Sequence, residues 1–364
     1  MQKKTVLFLV NHDVVIYNFR LELVERLIAD GHEVHISSPY GERIDDLVKL
    51  GAIYHEIKIA RHGTNPITDS VLIWNYIKLL KQVKPNIVFS YTIKPNIYGG
   101  IACRLTNIPQ VANVTGLGTA VENPGLTQKI TLALYRFAFK KIQRIFFQNT
   151  ENRQFFIDHS LFTDKHGLLP GSGVNLERFA PLPYPDDTDG IHFVFISRIM
   201  REKGIEQYLD AAAHFKGSHL HFHICGFCES EYQGKLEEYT RNGTVIYHGM
   251  VRNVREILAK THCTIHPSFY PEGISNVLLE SCACARPIIT TDRSGCREVV
   301  DDDVNGFVVK QRDSEDLIQK IEKFLALSHE QKMRMGLAAR AKVEYEFDRQ
   351  VVVDAYLKEM ENVG

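Results

Sequence analysis

The sequence predicts an α/β protein built from two doubly wound parallel sheets, each with helices on both faces. Three observations carry this expectation. The chain has 364 residues, enough for two domains at roughly 100 to 200 residues each. Short runs rich in β-branched and aromatic residues alternate with segments of helical apolar spacing, the order expected of parallel strands joined by crossover helices. The alternation pauses once, at PLPYPDDTDG (181–190), and then restarts, which marks an interdomain linker.

The first half opens on TVLFLV (5–10). Two lysines precede this run, as in a secretory signal, but it stops at Asn11-His12-Asp13, too short for one. It reads as a first strand. IYNFRLELVERLIAD (16–30) carries apolar residues at helical intervals. EVHISS (33–38), NIVFSY (86–91), PQVANVT (109–115) and RIFFQN (144–149) follow as buried strands. After the pause come IHFVFIS (191–197), HLHFHICG (219–226), TVIYHG (244–249), CTIHPS (263–268) and PIITTD (287–292), and from 313 to 361 the pattern is helical. The expected domains are therefore 1–180 and 191–345, with a closing helix at 346–364 that returns to the first domain. Ligands of such sheets sit at the C-terminal ends of the strands, so the site is expected in a cleft between the domains.

Hydrophobic residues make up 44% and charged residues 24%, the profile of an ordinary globular protein. No apolar run approaches the ~18 residues of a membrane span. Seven cysteines, an odd number without framework spacing, point to reduced thiols in a cytoplasmic setting. The net charge is only -1, and no nucleic-acid partner is expected. The charge is unevenly spread, however. Between Ser70 and Thr150 stand ten basic residues and one acid, Glu122, an asymmetry that suits a phosphate or an acidic lipid surface.

Two glutamates in YPEGISNVLLE (270–280), Glu272 and Glu280, flank an apolar run. CTIHPS reads as a strand, PEG as a turn and SNVLLESCACA as a helix with Ser275 as N-cap. Glu272 then lies in the loop and Glu280 more than one turn inside the helix. The first amides of a helix suit a phosphate. A nucleotide diphosphate placed there presents its ribose to Glu280 and the group beyond the diphosphate, such as a sugar, to Glu272, with Gly273 allowing close backbone approach. In FISRIMREKG (195–204), Arg198 and Lys203 follow a strand end, where a guanidinium fork and an ammonium neutralise a leaving diphosphate. Together these features point to a nucleotide-diphosphate site in the second domain.

Arg198, Lys203-Gly204, Glu272 and Glu280 resemble the signature of retaining glycosyltransferases of family 4, which have the GT-B fold of two Rossmann-like domains. NVTGLG (113–118), FFQNTENRQFF (146–156), LLPGSGVNLERFAP (168–181) and SGCREVVDDDVNGFVV (294–309) extend the likeness over nearly the whole chain. It is to bacterial enzymes that build capsular polysaccharide, O-antigen or lipid-linked oligosaccharide. The resemblance implies that Arg198 and Lys203 bind the donor diphosphate and act with Glu272 in catalysis. It implies that Glu280 holds the ribose, and that Glu272 with Gly273, Ile274, Ser275 and Asn276 holds the transferred sugar. The base is expected near Gly226, Met250 and Val251. The donor is expected to be a UDP-sugar, the acceptor a glycan, polyprenyl-diphosphate-linked, and no metal or other cofactor is expected.

Two departures matter. Relatives often have a glycine-rich first loop, whereas this chain has NHDVVIYNFR (11–20), so Tyr17, Asn18 and Arg20 are expected to line the cleft. Relatives often have a histidine after the fourth strand; SYTIKPNIYGG (90–100) has none. Lys94, Asn96 and Thr115 are expected beside the reacting centre instead. LTQKITLALYRFAFKKIQR (126–144) reads as one helix whose Lys129, Arg136 and Lys140 form a stripe, with Leu132 and Phe139 beside it. That stripe suits an anionic inner membrane surface, with the protein cytoplasmic and peripheral. Trp74 is read as core, the Cys225/Cys228 pair as no metal site, and His219, His221 and His223 as packed or solvated. Other functions compete: a UDP-sugar epimerase of the same architecture, or a non-catalytic sugar-nucleotide sensor. A dehydrogenase is excluded by the lack of GxGxxG after the first strand.

Overall fold

The structure, a computed structural model, describes residues 2–59, 65–118, 121, 124–162 and 164–363. The chain forms two units, Met1–Ser172 with Gln350–Gly364, and Gly173–Arg349. The chain crosses between them at 172/173 and again at 349/350, not within 181–190. That stretch packs on the second unit. The fully buried Arg286 donates to the carbonyls of Leu182 and Pro183, and the Tyr184 hydroxyl donates to His262 O. Its prolines leave carbonyls without a helical or sheet partner, and these side chains satisfy them.

In the first unit seven parallel strands lie in the order β3-β2-β1-β4-β5-β6-β7. They are β1 Thr5–Leu9, β2 Glu33–Ser38, β3 Ile53–Glu56, β4 Ile87–Tyr91, β5 Gln110–Val114, β6 Arg144–Phe147 and β7 His166–Leu168. Side chains of β1 alternate between two apolar layers. Leu7 and Leu9 join Tyr76, Ile101, Leu132 and Tyr135, whereas Val6 and Phe8 join Leu23, Val24 and Tyr356. Helices thus cover both faces, and the strands are buried on both sides. The edge strands β3 and β7 escaped sequence reading because they are short and half-exposed.

The helix expected over 16–30 is two, Asp13–Phe19 and Leu21–Ala29, broken at Arg20, whose backbone (φ -141, ψ 11) leaves the helical region. The segment 126–144 is the helix Leu126–Ala138, a 3₁₀ turn Phe139–Lys141, and then β6. The closing helix, Arg349–Glu361, lays Val352, Val353, Tyr356 and Met360 into the first unit's core.

The second unit has six parallel strands in the order β10-β9-β8-β11-β12-β13. They are β8 Ile191–Ile196, β9 Leu220–Cys225, β10 Ile246–Tyr247, β11 Cys263–His266, β12 Ile288–Thr291 and β13 Gly306–Val309. One apolar layer holds Phe193, Phe195, Tyr208 and Phe324; the other holds Val194, Leu278, Leu279 and Val343. In each unit the strand order reverses after the first strand, between β1 and β4 and between β8 and β11. Doubly wound sheets bind ligands at that switch point, beyond the strands' C-terminal ends.

Candidate active site

Two loops leave the second unit's switch point. The first follows β8, passes Arg198 and closes as a 3₁₀ turn over Arg201–Lys203. Gly204 ends it at φ +78, with the ideal Cβ position only 2.1 Å from the Pro267 carbonyl oxygen. Any larger residue would push the two loops apart. The second follows β11, and the N–H of Phe269 donates to Glu202 O at 2.9 Å, tying it to the first. The N–H of Glu272 closes a tight turn on Tyr270 O at 2.9 Å.

This stapling brings charges together. Lys203, buried, donates its ammonium to Glu272 Oε1. Ser268 Oγ donates to the same oxygen at 3.2 Å. The Lys203 ammonium lies 4.8 Å and the Arg198 guanidinium 5.7 Å from the centroid of the Tyr270 ring. Arg198, about half-exposed, also pairs with the rim carboxylate of Glu229 at 3.8 Å. The Lys203 charge holds the Glu272 carboxyl well below the usual carboxylate range although burial opposes it. Sequence-distant Lys203, Arg198 and Glu272 therefore share one small site.

Helix Asn276–Ala283 begins just beyond. Ser275 stands at its N-cap in extended backbone, as expected, but its side chain makes no cap bond. Instead Ser275 is buried and its N–H is drawn to Gly295 O at 2.8 Å. The Ser275 side chain therefore does not compete for the first-turn amides. Gly273 and Ile274 are buried, and Asn276 Oδ1 is buried without a hydrogen bond. Glu280 is half-buried on the same helix and does not touch the Lys203–Glu272 pair. Burial pushes its carboxyl up to about 7, against the pull of Arg349 and Arg178. Gly226 follows β9 at φ +140, its ideal Cβ position 1.8 Å from Ser197 O, so only glycine fits there. Its N–H donates to Gly249 O at 2.8 Å, placing the exposed Met250 and half-buried Val251 in the adjoining turn.

The first unit corrects several expectations. Arg20 is buried, its guanidinium 4.9 Å from the Tyr91 ring centroid and 5.7 Å from that of Tyr356. It is a core cation under the closing helix. Asn96 is also buried; it accepts from Ser90 Oγ and donates to Asn113 O, both at 2.8 Å. Both residues look like site residues in sequence because polar side chains near strand ends are ordinarily ligand-facing; here they bind backbone and rings instead. Tyr17 lies under the Arg43 guanidinium at 4.4 Å, and Asn18 is exposed. Lys94 is held by the buried Asp69 at 3.0 Å, whose other oxygen accepts from the Tyr98 hydroxyl at 2.7 Å. Thr115 is half-buried in the loop after β5.

Four residues at the switch points escaped sequence reading. His12 and Asp13 touch at 2.5 Å just past β1, and Asp13 accepts from the Arg43 N–H at 2.9 Å. Thr92, just past β4, has φ 70, a strained value for a β-branched residue. His266 ends β11 beside Glu272. The adjacency of His12 and Asp13 in NHDV was a legible signal; the others depend on long-range packing. A cavity of about 880 Å³ lies between β3 and helix Pro66–Val83, and Asp69 is in its wall. None of the donor-site residues lines it.

The proposed membrane stripe also changes. Leu132 and Phe139 are buried in the core, not beside the stripe. Arg136 donates to the carbonyls of His159 and Ser160, ending helix Thr150–Asp158. Lys129 and Lys140 are exposed, and Trp74 is exposed rather than core. Glu298 accepts from the Gly295 N–H and Ser294 Oγ within the turns of residues 294–299. His221 and His223 join a stacked series with His192 and His248. Cys225 and Cys228 are buried free thiols.

Comparison with known proteins bears on the family and the fold. Residues 5–149 match the family described as glycosyl transferase 4-like, and residues 183–342 match glycosyl transferases group 1. The chain is 26% identical to N,N'-diacetylbacillosaminyl-diphospho-undecaprenol alpha-1,3-N-acetylgalactosaminyltransferase of Campylobacter jejuni, over 96% of each chain. It is 25% identical to UDP-Gal:alpha-D-GlcNAc-diphosphoundecaprenol alpha-1,3-galactosyltransferase of Escherichia coli, over 78% of this chain and 77% of that one. Among solved structures, a glycosyltransferase from Rickettsia africae superposes with a TM-score of 0.83 at 18% identity, covering 100% of this chain and 99% of that one. HepE of Anabaena in complex with UDP superposes with a TM-score of 0.80 at 16% identity, covering 98% and 100%. The two family models between them take in most of both units, and the chain belongs to the group 1 and 4-like glycosyltransferases, with the two-Rossmann GT-B fold.

Proposed function

We propose that the protein is a retaining transferase that moves a hexose or N-acetylhexosamine from a UDP-sugar to a polyprenyl-diphosphate-linked glycan. The observation that carries this reading is the Lys203–Glu272 pair beneath Arg198, over Tyr270, at the switch point. Sugar transfer builds negative charge on the departing diphosphate while the sugar becomes oxocarbenium-like. Arg198 and Lys203 meet that charge where it grows, which lowers the barrier. They serve where a metal would in other transferases. Glu272, kept ionised, accepts from hydroxyls of the transferred sugar, and Glu280 from the ribose. The sugar is attacked on the face that the diphosphate leaves, and the phosphate takes the acceptor's proton. The UDP donor is supported by the named donor of the Escherichia coli relative and the UDP bound to HepE. The lipid-diphosphate acceptor is supported by the names of both relatives. Lys203→Ala and Glu280→Ala are expected to reduce transfer from UDP-sugar to an undecaprenyl-diphosphate-linked acceptor by at least ~100-fold, with circular dichroism unchanged. Full activity in Lys203→Ala refutes the diphosphate assignment.

An acceptor with a polyprenyl tail lies in a membrane. No helix of the described residues is long and apolar enough to cross one; in this reading the protein meets its acceptor as a peripheral enzyme on the cytoplasmic face. The docking surface is the layer of helices Pro66–Val83, Gly100–Thr106 and Leu126–Ala138 on one face of the first sheet. Ile67, Val71, Trp74, Leu105, Leu126, Ile130 and Phe137 are exposed there. Lys78, Lys81, Arg104, Lys129, Arg136 and Lys140 are interspersed, and the one acid among these helices is Asp69, buried and paired with Lys94. Exposed apolar groups in an acid-free basic field suit an anionic bilayer.

A further inference from the structure

The cavity between β3 and helix Pro66–Val83 lies within the first unit, to which every described lining residue belongs. Its volume of about 880 Å³ falls within the ~300–1,000 Å³ of small-ligand sites. Ile57, Leu72 and Leu79 give it a buried apolar surface. Ser37 also lines it, is fully buried, and its Oγ makes no hydrogen bond with any described residue. An unmet buried hydroxyl is costly unless whatever fills the cavity meets it.

Across the strands Ser37 pairs with His55, on the same face of the sheet and also in the cavity wall. Two contacts set the His55 ring. His35 Nε2 lies 2.8 Å from Glu33 Oε1, and His35 Nδ1 lies 2.7 Å from His55 Nε2. The hydrogen bond from His35 lowers the Glu33 carboxyl, so at neutral pH it is ionised and only accepts. With His35 neutral, its Nε2 donates to Glu33 and its Nδ1 accepts, so His55 donates through Nε2. His55 Nδ1 is left as an acceptor. Burial first, and His35 in addition, press the His55 ring below its ordinary range, which keeps that acceptor unprotonated at pH 7.5.

We propose that this cavity holds the head of the acceptor, the sugar joined directly to the lipid diphosphate, and that Lys58 and Lys78 meet the diphosphate itself. This rests on the reading that the acceptor is lipid-linked and that the first unit docks through its helix layer. A pyranose has apolar C–H faces and hydroxyls that both donate and accept. The wall answers both. Its apolar side chains suit the C–H faces, while Ser37 Oγ, His55 Nδ1 and the amides of Asn75 and Gln82 offer donors and acceptors. A polyprenyl tail has no use for those groups. The charges suit the diphosphate: Asp69 is neutralised by Lys94 at 3.0 Å. Among the described lining residues that leaves one exposed acid, Glu56, against the exposed Lys58 and Lys78. Ile67, Val71 and Lys78 belong both to this wall and to the docking layer, so the cavity borders the surface at which a lipid-borne head arrives.

The test uses the full chain, the UDP-sugar that the native protein turns over, and soluble acceptors without vesicles, so that membrane docking plays no part. The acceptors are geranyl-diphosphate esters of N-acetylglucosamine, N-acetylgalactosamine and glucose. Ser37→Ala removes one hydroxyl. It is expected to raise the acceptor KM roughly fivefold, with the KM for the UDP-sugar unchanged and Tm no lower than that of the native protein. A serine with only a structural part would leave both KM values alone. Asn75→Phe, at a half-buried helix position, fills the cavity and is expected to raise the acceptor KM roughly tenfold or more. Lys58→Gln with Lys78→Gln should also raise it about tenfold, by an amount that shrinks as salt is added. Native acceptor KM values in Ser37→Ala and Asn75→Phe overturn the inference alone. Native protein that binds UDP but transfers to none of the three acceptors removes the underlying acceptor reading as well.

Discussion

At the scale of single residues, the site separates charges by what surrounds them. Glu272 and Glu280 are eight positions apart in sequence, yet one is held ionised by Lys203 and the other is pushed up to about 7 by burial. Glu280 therefore works against folding. A carboxyl whose folded value lies above its unfolded one contributes stability only at low pH, and that contribution is lost as pH rises from about 4.5 through about 7. Glu280→Gln is accordingly expected to raise Tm by a few degrees at pH 8, to leave it nearly unchanged at pH 4.5, and to weaken UDP binding. Scanning calorimetry at the two pH values checks the sign; a lower Tm at pH 8 would show that Arg178 and Arg349 more than offset the burial. Arg198, Lys203 and Glu272 were legible because a cation cluster after one strand and a carboxylate before a helix are local patterns. His266, Asp69 and Arg20 were not. What each does depends on a partner far away in the chain, and no local pattern distinguishes a buried histidine under a carboxylate from one packed in a core.

At the scale of elements, the central strands and most helices follow directly from apolar periodicity, and the errors fall where periodicity is weak. β3, β7 and β13 are edge strands of three or four residues, too short to establish a pattern. The break at Arg20 was hidden because both helices it separates present apolar residues at compatible spacing. The cation there packs over Tyr91 and Tyr356, so the break serves the core. Helix Arg349–Glu361 shows how much one element contributes. Tyr356 is fully buried, its hydroxyl accepting from Asn113 Nδ2 at 2.9 Å, with Phe89, Tyr91 and Phe146 at ring-centroid distances of 4.9 to 5.9 Å. Tyr356→Ala removes the ring, leaves Asn113 short of a partner and uncovers Arg20. It is expected to cost about 3–5 kcal/mol, read as a lower urea midpoint for the first unit's transition. An unchanged midpoint would mean that the closing helix is not part of that core.

At the scale of the whole molecule, a net charge of -1 conceals an uneven spread of acids, with ten basic residues and one acid between Ser70 and Thr150. The excess between 70 and 150 was visible in the sequence, but the face it occupies was not. A single-helix stripe placed Leu132 and Phe139 outside, and folding buried both. The exposed apolar residues come instead from three helices, which only the sheet brings side by side. This geometry makes a definite prediction, and the chain carries its own reporter, because Trp74 is the only tryptophan and lies in the layer, half-exposed beside Lys78. Vesicles containing phosphatidylglycerol should shift its fluorescence to shorter wavelength and sediment the protein, whereas neutral phosphatidylcholine vesicles should do neither. Each basic residue near an anionic surface contributes about 1 kcal/mol, and the effect is screened within a Debye length. Lys129→Glu with Lys140→Glu should therefore abolish binding at 0.15 M salt, and raised salt should weaken the native protein's binding. Phe137→Ser with Ile130→Ser should weaken it while leaving the salt dependence intact, because the apolar term is not screened. These substitutions lie in the first unit and the donor-site residues belong to the second, so UDP affinity should not change. Native protein that ignores anionic vesicles, or charge-reversed protein that still sediments with them, would refute docking through this layer.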